Sequence, residues 1–156
     1  MKARILVDAD SCAKRVRKWL IARAKDNEIE LTFAANRDLS PDGSPAGQSQ
    51  NFKMIVCPAQ SQAADKWLLA NAAAGDLVIT RDIPLASSLL EKGVAAMNDF
   101  GKVFDKQKID RALKERELSL QMSQLGLGTK KRDSYGQNEF EAFAKAFNEV
   151  IRRKNC

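Results

Sequence analysis

Residues 4–10, Arg-Ile-Leu-Val-Asp-Ala-Asp, run an apolar stretch into two carboxylates. Side chains alternate across a strand, so Asp8 and Asp10 are expected on one face at its C-terminal end. Two anions that close oppose each other's ionisation, and a hard divalent cation such as Mg²⁺ or Mn²⁺ removes that cost. The bland alternative is that one Asp caps the next helix and the other is solvated. Thr80-Arg81-Asp82 repeats the spacing beyond the apolar run at 77–80. Asp65 stands one turn into a predicted helix, where an acid also favours the helix dipole. Asp8, Asp10, Asp65 and Asp82 form the candidate catalytic set, with Asp8, Asp10 and Asp82 as the metal ligands. The sequence contains no histidine, which excludes Ser-His and Cys-His catalysis and imidazole ligands. The remaining chemistry is metal-activated water attacking a phosphodiester.

Charge points the same way. The net charge is +6, and residues 101–156 carry most of it, with 13 Lys/Arg against 8 Asp/Glu, while residues 1–100 hold 13 against 12. A basic region beside an acidic site suits a nucleic-acid partner, RNA foremost; a solvated helical face would look the same. Lys14, Arg15, Arg17 and Lys18 follow the first acids. The apolar stripe at Val16, Trp19 and Leu20 leaves Lys14 and Arg17 as neighbours, the expected phosphate-binding pair.

The elements that must position these residues alternate. Strands are expected at 3–7, 29–35, 52–57, 77–80 and 94–97. Apolar residues recur at helical spacing after Ser11, from Ser61 to about Ala74 (Ala64, Trp67, Leu68 and Ala72 inward), and from Pro84 to Gly93. Ser11 or Asp10 is expected to cap the first helix. Such alternation predicts an α/β fold, three-layer α/β/α, with a central, mostly parallel sheet of about five strands and C-terminal helices. Residues 37–51 read as a long exposed loop. After a short extension at 100–104, Asp105 caps a helix with Ile109, Leu113 and Leu120 inward. Residues 126–137 read as a flexible basic linker. Asn138 and Glu141 open a last helix whose stripe is Phe140, Phe143, Ala144, Phe147 and Ile151. The expected division is an α/β domain at 1–125, the linker, and an amphipathic helix at 138–156 docked on the domain, with a dimer contact as the alternative. No apolar run reaches the roughly 20 residues of a membrane helix. The apolar run near the N-terminus is broken at Asp8, so it is not read as a signal peptide. Cys12, Cys57 and Cys156 lack metal-like spacing and read as reduced thiols. A cytoplasmic location is expected.

The segments Val7-Asp8-Ala9-Asp10-Ser11-Cys12, Ala34-Ala35-Asn36, Ala64-Asp65, Gly75-Asp76-Leu77-Val78-Ile79-Thr80 and Asp82-Ile83-Pro84-Leu85-Ala86 resemble the YaiI/YqxD family of uncharacterised bacterial proteins. The resemblance runs in order through about residue 120, and it departs where the family usually has Pro after the Cys and this chain has Ala13. The family is placed with PIN-like nuclease domains. Those hold Mg²⁺ or Mn²⁺ with a first-strand Asp, a helical acid and a Thr-x-Asp motif. Carried over, these are Asp8, Asp65 and Asp82, with Thr80 as a supporting hydroxyl and Asp10 as the family's own second acid. Ser11 and Asn36 fall in the shared segments as further supporting residues.

Two rivals share features of the chain. A haloacid-dehalogenase-like phosphatase would use Asp8 as nucleophile and Asp10 as acid/base, with Thr80 as its later hydroxyl. Its last acidic pair is missing here. A non-catalytic RNA-binding module would explain the basic charge, but the rings sit at helix-core spacing rather than on an exposed strand. A cysteine phosphatase on Cys12 fails, because its loop needs Arg where Lys18 stands.

Overall fold

The structure is a computed structural model that describes residues 3–26, 28–37, 52–58, 62–126 and 135–154. Most of the expected loop at 37–51 and of the expected linker at 126–137 lies outside the described residues.

Five strands form one parallel sheet: β1 (Ala3–Asp8), β2 (Ile29–Ala35), β3 (Phe52–Val56), β4 (Leu77–Ile79) and β5 (Ala95–Met97), in the order β3-β2-β1-β4-β5. Helices α1 (Lys14–Lys25), α2 (Ala63–Asn71), α3 (Ile83–Glu91), α4 (Lys106–Gln124) and α5 (Gln137–Lys154) complete it. Alternation along β1 assigns the two faces. Ile5 and Val7 pack into one core with Val16 and Leu20 of α1 and Phe143 and Phe147 of α5. Leu6 packs into a second core with Leu68 of α2, Leu85 and Leu89 of α3 and Ile109 of α4. The result is a three-layer α/β/α fold, and the strands, covered on both faces, are nearly continuous in apolar residues, as parallel strands must be.

The order is informative for function. The chain moves from β1 outward to β2 and β3, then returns through α2 to β4 on the other side of β1. The strand order therefore reverses between β1 and β4, the position beyond the carboxyl ends of the strands where open α/β sheets take their ligands. Asp8 and Thr80 end these two neighbours.

Trp19 is the joint between α1 and α5. It meets Phe140, Phe143 and Phe147 edge-on at centroid distances of 5.9, 5.7 and 5.4 Å. Arg15 lies over Phe140 at 4.5 Å, and Arg23 over Trp19 at 4.8 Å. Gly101, with φ +90°, passes so close to α5 that an added Cβ would stand 2.6 Å from the Ala142 carbonyl oxygen.

Several expectations need correction. Neither Ser11 nor Asp10 caps α1: its N-cap is Ala13, without a side-chain cap bond, and the Ala13 N–H donates to Asp99 Oδ2 at 2.7 Å instead. The helix expected from Ser61 to Ala74 is shorter, with Gln62 as a left-handed N-cap and Ala72 as the C-cap. The extension at 100–104 amounts to one antiparallel bridge between Met97 and Val103. The start of α5 is braced two residues earlier than Asn138: Glu139 Oε2 accepts from the Gly136 N–H at 3.1 Å. In α4, Asp105 does cap, accepting from Lys108 N–H at 2.8 Å, and Ile109 is buried. Leu113 and Leu120, expected inward, are 37% and 58% exposed. Their periodicity places them on the side of Ile109. A helix of 19 residues is about 28 Å long, however, and outruns the layer that covers its first turns.

Candidate functional site

Asp8 ends β1 and is nearly buried, at 5% exposure. Two hydroxyls donate to the same oxygen, Oδ2: Ser11 Oγ at 2.8 Å and Thr80 Oγ1 at 2.8 Å. Thr80 is fully buried at the end of β4, and its Oγ1 also accepts from the Asp82 N–H at 3.0 Å. Ser11 Oγ accepts from the Arg81 N–H at 3.1 Å. A continuous chain of hydrogen bonds thus locks the β1 end to the β4 end. Burial pushes the Asp8 carboxyl up most; the two hydroxyls pull it down, and the charges of Asp10 and Asp82 add to the rise.

Asp10 is not on the strand. The chain turns into a 3-10 helix at Ala9–Ser11, so the alternation argument for Asp8 and Asp10 fails. Asp10 nevertheless stays at the same sheet edge, exposed, where its Oδ2 accepts from the Asn36 N–H at 3.1 Å. Asn36 supports the site with its backbone, at the end of β2.

Asp82 is the N-cap of α3, and its Oδ1 accepts from the Leu85 N–H at 2.8 Å. Pro84 in the first turn costs nothing, because no intrahelical donor is needed there. Asp65 lies in the first turn of α2, close enough to Asp82 and Asp8 for their charges to act on it. Burial, then the charges of Asp82 and Asp8, push Asp65 up to about 7. Asp65 feels the charges of the other three acids, and Asp8 those of Asp10 and Asp82. Among the described residues, no group of three or more acidic or cysteine side chains stands close enough to hold a metal ion. The chemistry of the donor set still suits one. It is all oxygen, and the mutual repulsion that helps to raise Asp8 and Asp65 is what a cation would relieve.

Lys14 is exposed on the first turn of α1, and Arg17 is half-buried near the Cys12 thiol. The largest influences on Asp8 and Asp65 are burial, hydroxyls and other aspartates, and neither Lys14 nor Arg17 is among them. Cys12 is a packing residue, its thiol pushed far up by burial.

Sequence reasoning assigned no role to Asp99 or Arg81. Asp99 is fully buried just past β5, the same strand-end position that singled out Asp8 and Asp82. Arg81 grips it with both arms of its fork, Nε to Oδ1 at 2.7 Å and Nη2 to Oδ2 at 2.6 Å. With the Ala13 N–H on Oδ2 and the Tyr135 hydroxyl on its carbonyl at 2.6 Å, Asp99 ties together the loops that carry Ser11 and Thr80.

The family model described as uncharacterized BCR, YaiI/YqxD family, matches residues 6–153. A UPF0178 protein of Treponema denticola is 35% identical over 148 residues, covering 95% of this chain and 91% of that one. UPF0178 proteins of Pseudomonas entomophila and Pseudomonas fluorescens are 33% and 35% identical over 150 residues, each covering 96% of this chain and 97% and 96% of their own. No solved structure matches. The chain belongs to the YaiI/YqxD family.

Proposed function

We propose that the chain is a Mg²⁺- or Mn²⁺-dependent phosphodiester hydrolase of the PIN-like kind, acting on RNA or single-stranded nucleic acid. The observation that carries this reading is the state of Asp8. It is a nearly buried carboxylate whose Oδ2 is taken up by Ser11 and Thr80, and among the described residues no group donates to its Oδ1. A carboxylate fixed in this way has one oxygen uncommitted among the described residues, with three further acids close enough to act on the same site. Asp8, Asp10 and Asp82 would hold the cation, with Asp65 as the fourth carboxylate. Bound there, Mg²⁺ or Mn²⁺ would supply an activated water and offset charge developing on the phosphoryl oxygens. Ser11 and Thr80 hold Asp8 in one rotamer, and the α3 cap holds Asp82. The order of the acids along the chain matches the PIN-like pattern of first-strand acid, helical acid and Thr-x-Asp.

The test pairs metal response with cleavage. Mn²⁺ should raise Tm, because a cation that binds only the folded state stabilises it. Asp8→Asn should remove most of that rise while the metal-free protein remains folded. End-labelled single-stranded RNA and DNA should be cut with Mn²⁺ by the wild type and not by Asp8→Asn. Tight RNA binding indifferent to metal, with no cutting, would instead favour a binding module. Turnover of phosphomonoesters alone would favour a phosphatase with Asp8 as nucleophile.

A further inference from the structure

Beside Asp65 and Asp82 a cleft of about 260 Å³ opens between α2 and α3, and α4 reaches its far wall. Asp65, Lys66 and Leu69 line it from one side of α2; Asp82, Pro84 and Leu85 line it from the start of α3. Arg116 closes it from α4. The position of Arg116 follows from helical geometry. It lies seven residues after Ile109, nearly two full turns, and so emerges on the same side as that buried residue.

The charges are arranged unusually. Lys66 and Arg116 are both exposed, and neither forms an ion pair with a described residue, although two carboxylates line the same cleft. Cations free to neutralise Asp65 and Asp82 would ordinarily collapse onto them. Here both signs line one cleft without an ion pair between them among the described residues, together with the apolar Leu69, Pro84 and Leu85 and the Ser88 hydroxyl. Such a space fits a ligand that is anionic at one end and has a less polar body. Its volume lies just below the roughly 300–1,000 Å³ of ligand pockets, which suits a single nucleotide unit and excludes a duplex.

We propose that this cleft seats a nucleoside phosphate beside the acids, with Lys66 and Arg116 holding the phosphate and Leu69, Pro84 and Leu85 carrying the nucleoside. The phosphate-binding pair of the site is then Lys66 and Arg116 rather than Lys14 and Arg17. The seat rests on the hydrolase reading above, and the two can fail separately. The ligand is either a free nucleotide or one unit of a single strand, and the experiment separates these.

Binding of AMP, adenosine and a short single-stranded RNA is measured by calorimetry with Mg²⁺, for the wild type, Lys66→Ala, Arg116→Ala and Ser88→Trp. The two charged side chains are exposed, so their removal should leave Tm unchanged. AMP should bind and adenosine should not. Each charge variant should weaken AMP about tenfold, the worth of one charge-assisted hydrogen bond. Ser88→Trp, which fills the cleft without altering its charge, should abolish binding. Parallel losses for RNA assign the seat to a strand, and losses for AMP alone assign it to a free nucleotide; either result supports the seat. Failure of the wild type to bind AMP or RNA, or unchanged affinities in all three variants, overturns it. If metal-dependent cutting occurs and Lys66→Ala and Arg116→Ala keep both affinity and KM, the seat falls and the hydrolase stands. If AMP binding depends on both cations and no cutting is found, the hydrolase falls and the seat stands.

Discussion

Asp65→Asn should stabilise the metal-free protein, and more so as pH rises. In the folded chain Asp65 titrates at about 7, against an ordinary 3.8, because burial and the charges of Asp82 and Asp8 disfavour its anion. Below pH 4 both folded and unfolded chains hold the proton, so nothing is lost. Between about 4 and 7 the unfolded chain has released it and the folded chain has not. The Asp65 contribution to stability therefore falls with rising pH across that window, and its full cost is present above it. A rise of about three units corresponds to about 4 kcal/mol if nothing screens it. Asp65 is partly open to water, and screening cuts this to about 1–2 kcal/mol. For a chain of this size that is about 2–8 °C in Tm. The amide introduced by Asp65→Asn is close to the acid in size and cannot ionise. The variant should exceed the wild type only slightly at pH 5 in EDTA and by the full margin at pH 8. Some fall should persist in the variant, because burial also raises Asp8. Melting curves at pH 5, 6, 7 and 8 read this directly. A variant that loses as much Tm as the wild type between pH 5 and 8 would refute the raised titration of Asp65.

Arg81→Met should cost about 3 kcal/mol in urea unfolding, because it strands the fully buried Asp99 carboxylate. Arg81→Lys should recover only part of this, since an ammonium cannot span both oxygens. Gly101→Ala should cost about 2–4 kcal/mol, from the strained φ of +90° and the clash with the Ala142 carbonyl, and a cost under 0.5 kcal/mol would contradict the close approach of α5. Phe143→Ala should cost about 3–5 kcal/mol and shift Trp19 fluorescence to the red, because it opens the aromatic joint between α1 and α5. An unshifted spectrum would mean that α5 does not cover Trp19 in solution.

The sheet could be read from the chain because its evidence is local. A run such as Leu77–Ile79, apolar without alternation and bounded by Gly75 and Pro84, has few ways to be anything but a buried parallel strand. Position alone placed the strand-end acids. Asp8 and Asp82 follow apolar runs, and a parallel sheet delivers all such ends to one edge. What periodicity could not supply was the length over which an element stays covered. Leu113 and Leu120 have the right spacing to be core residues, yet α4 extends past the layer beneath it. Alternation failed at Asp10 for a related reason, since a strand's period stops where the backbone turns, and β1 turns at Ala9.

Asp99 shows how far the positional rule carries. It lies just past β5 where Asp8 ends β1, and by position alone it would join the acidic site. The separation between them lies in their partners. Asp8 is met by two neutral hydroxyls, which orient a carboxylate without cancelling its charge. Asp99 is met by a guanidinium fork and a helix-start amide, which consume both oxygens and the charge. One strand-end acid thus keeps its second oxygen uncommitted among the described residues, and the other is spent holding the first in place: the Arg81 that grips Asp99 also donates its own N–H to Ser11 Oγ, and Ser11 in turn holds Asp8. Strand order brings such acids to one edge, but only the donors facing each of them divide an acid left open from one that braces.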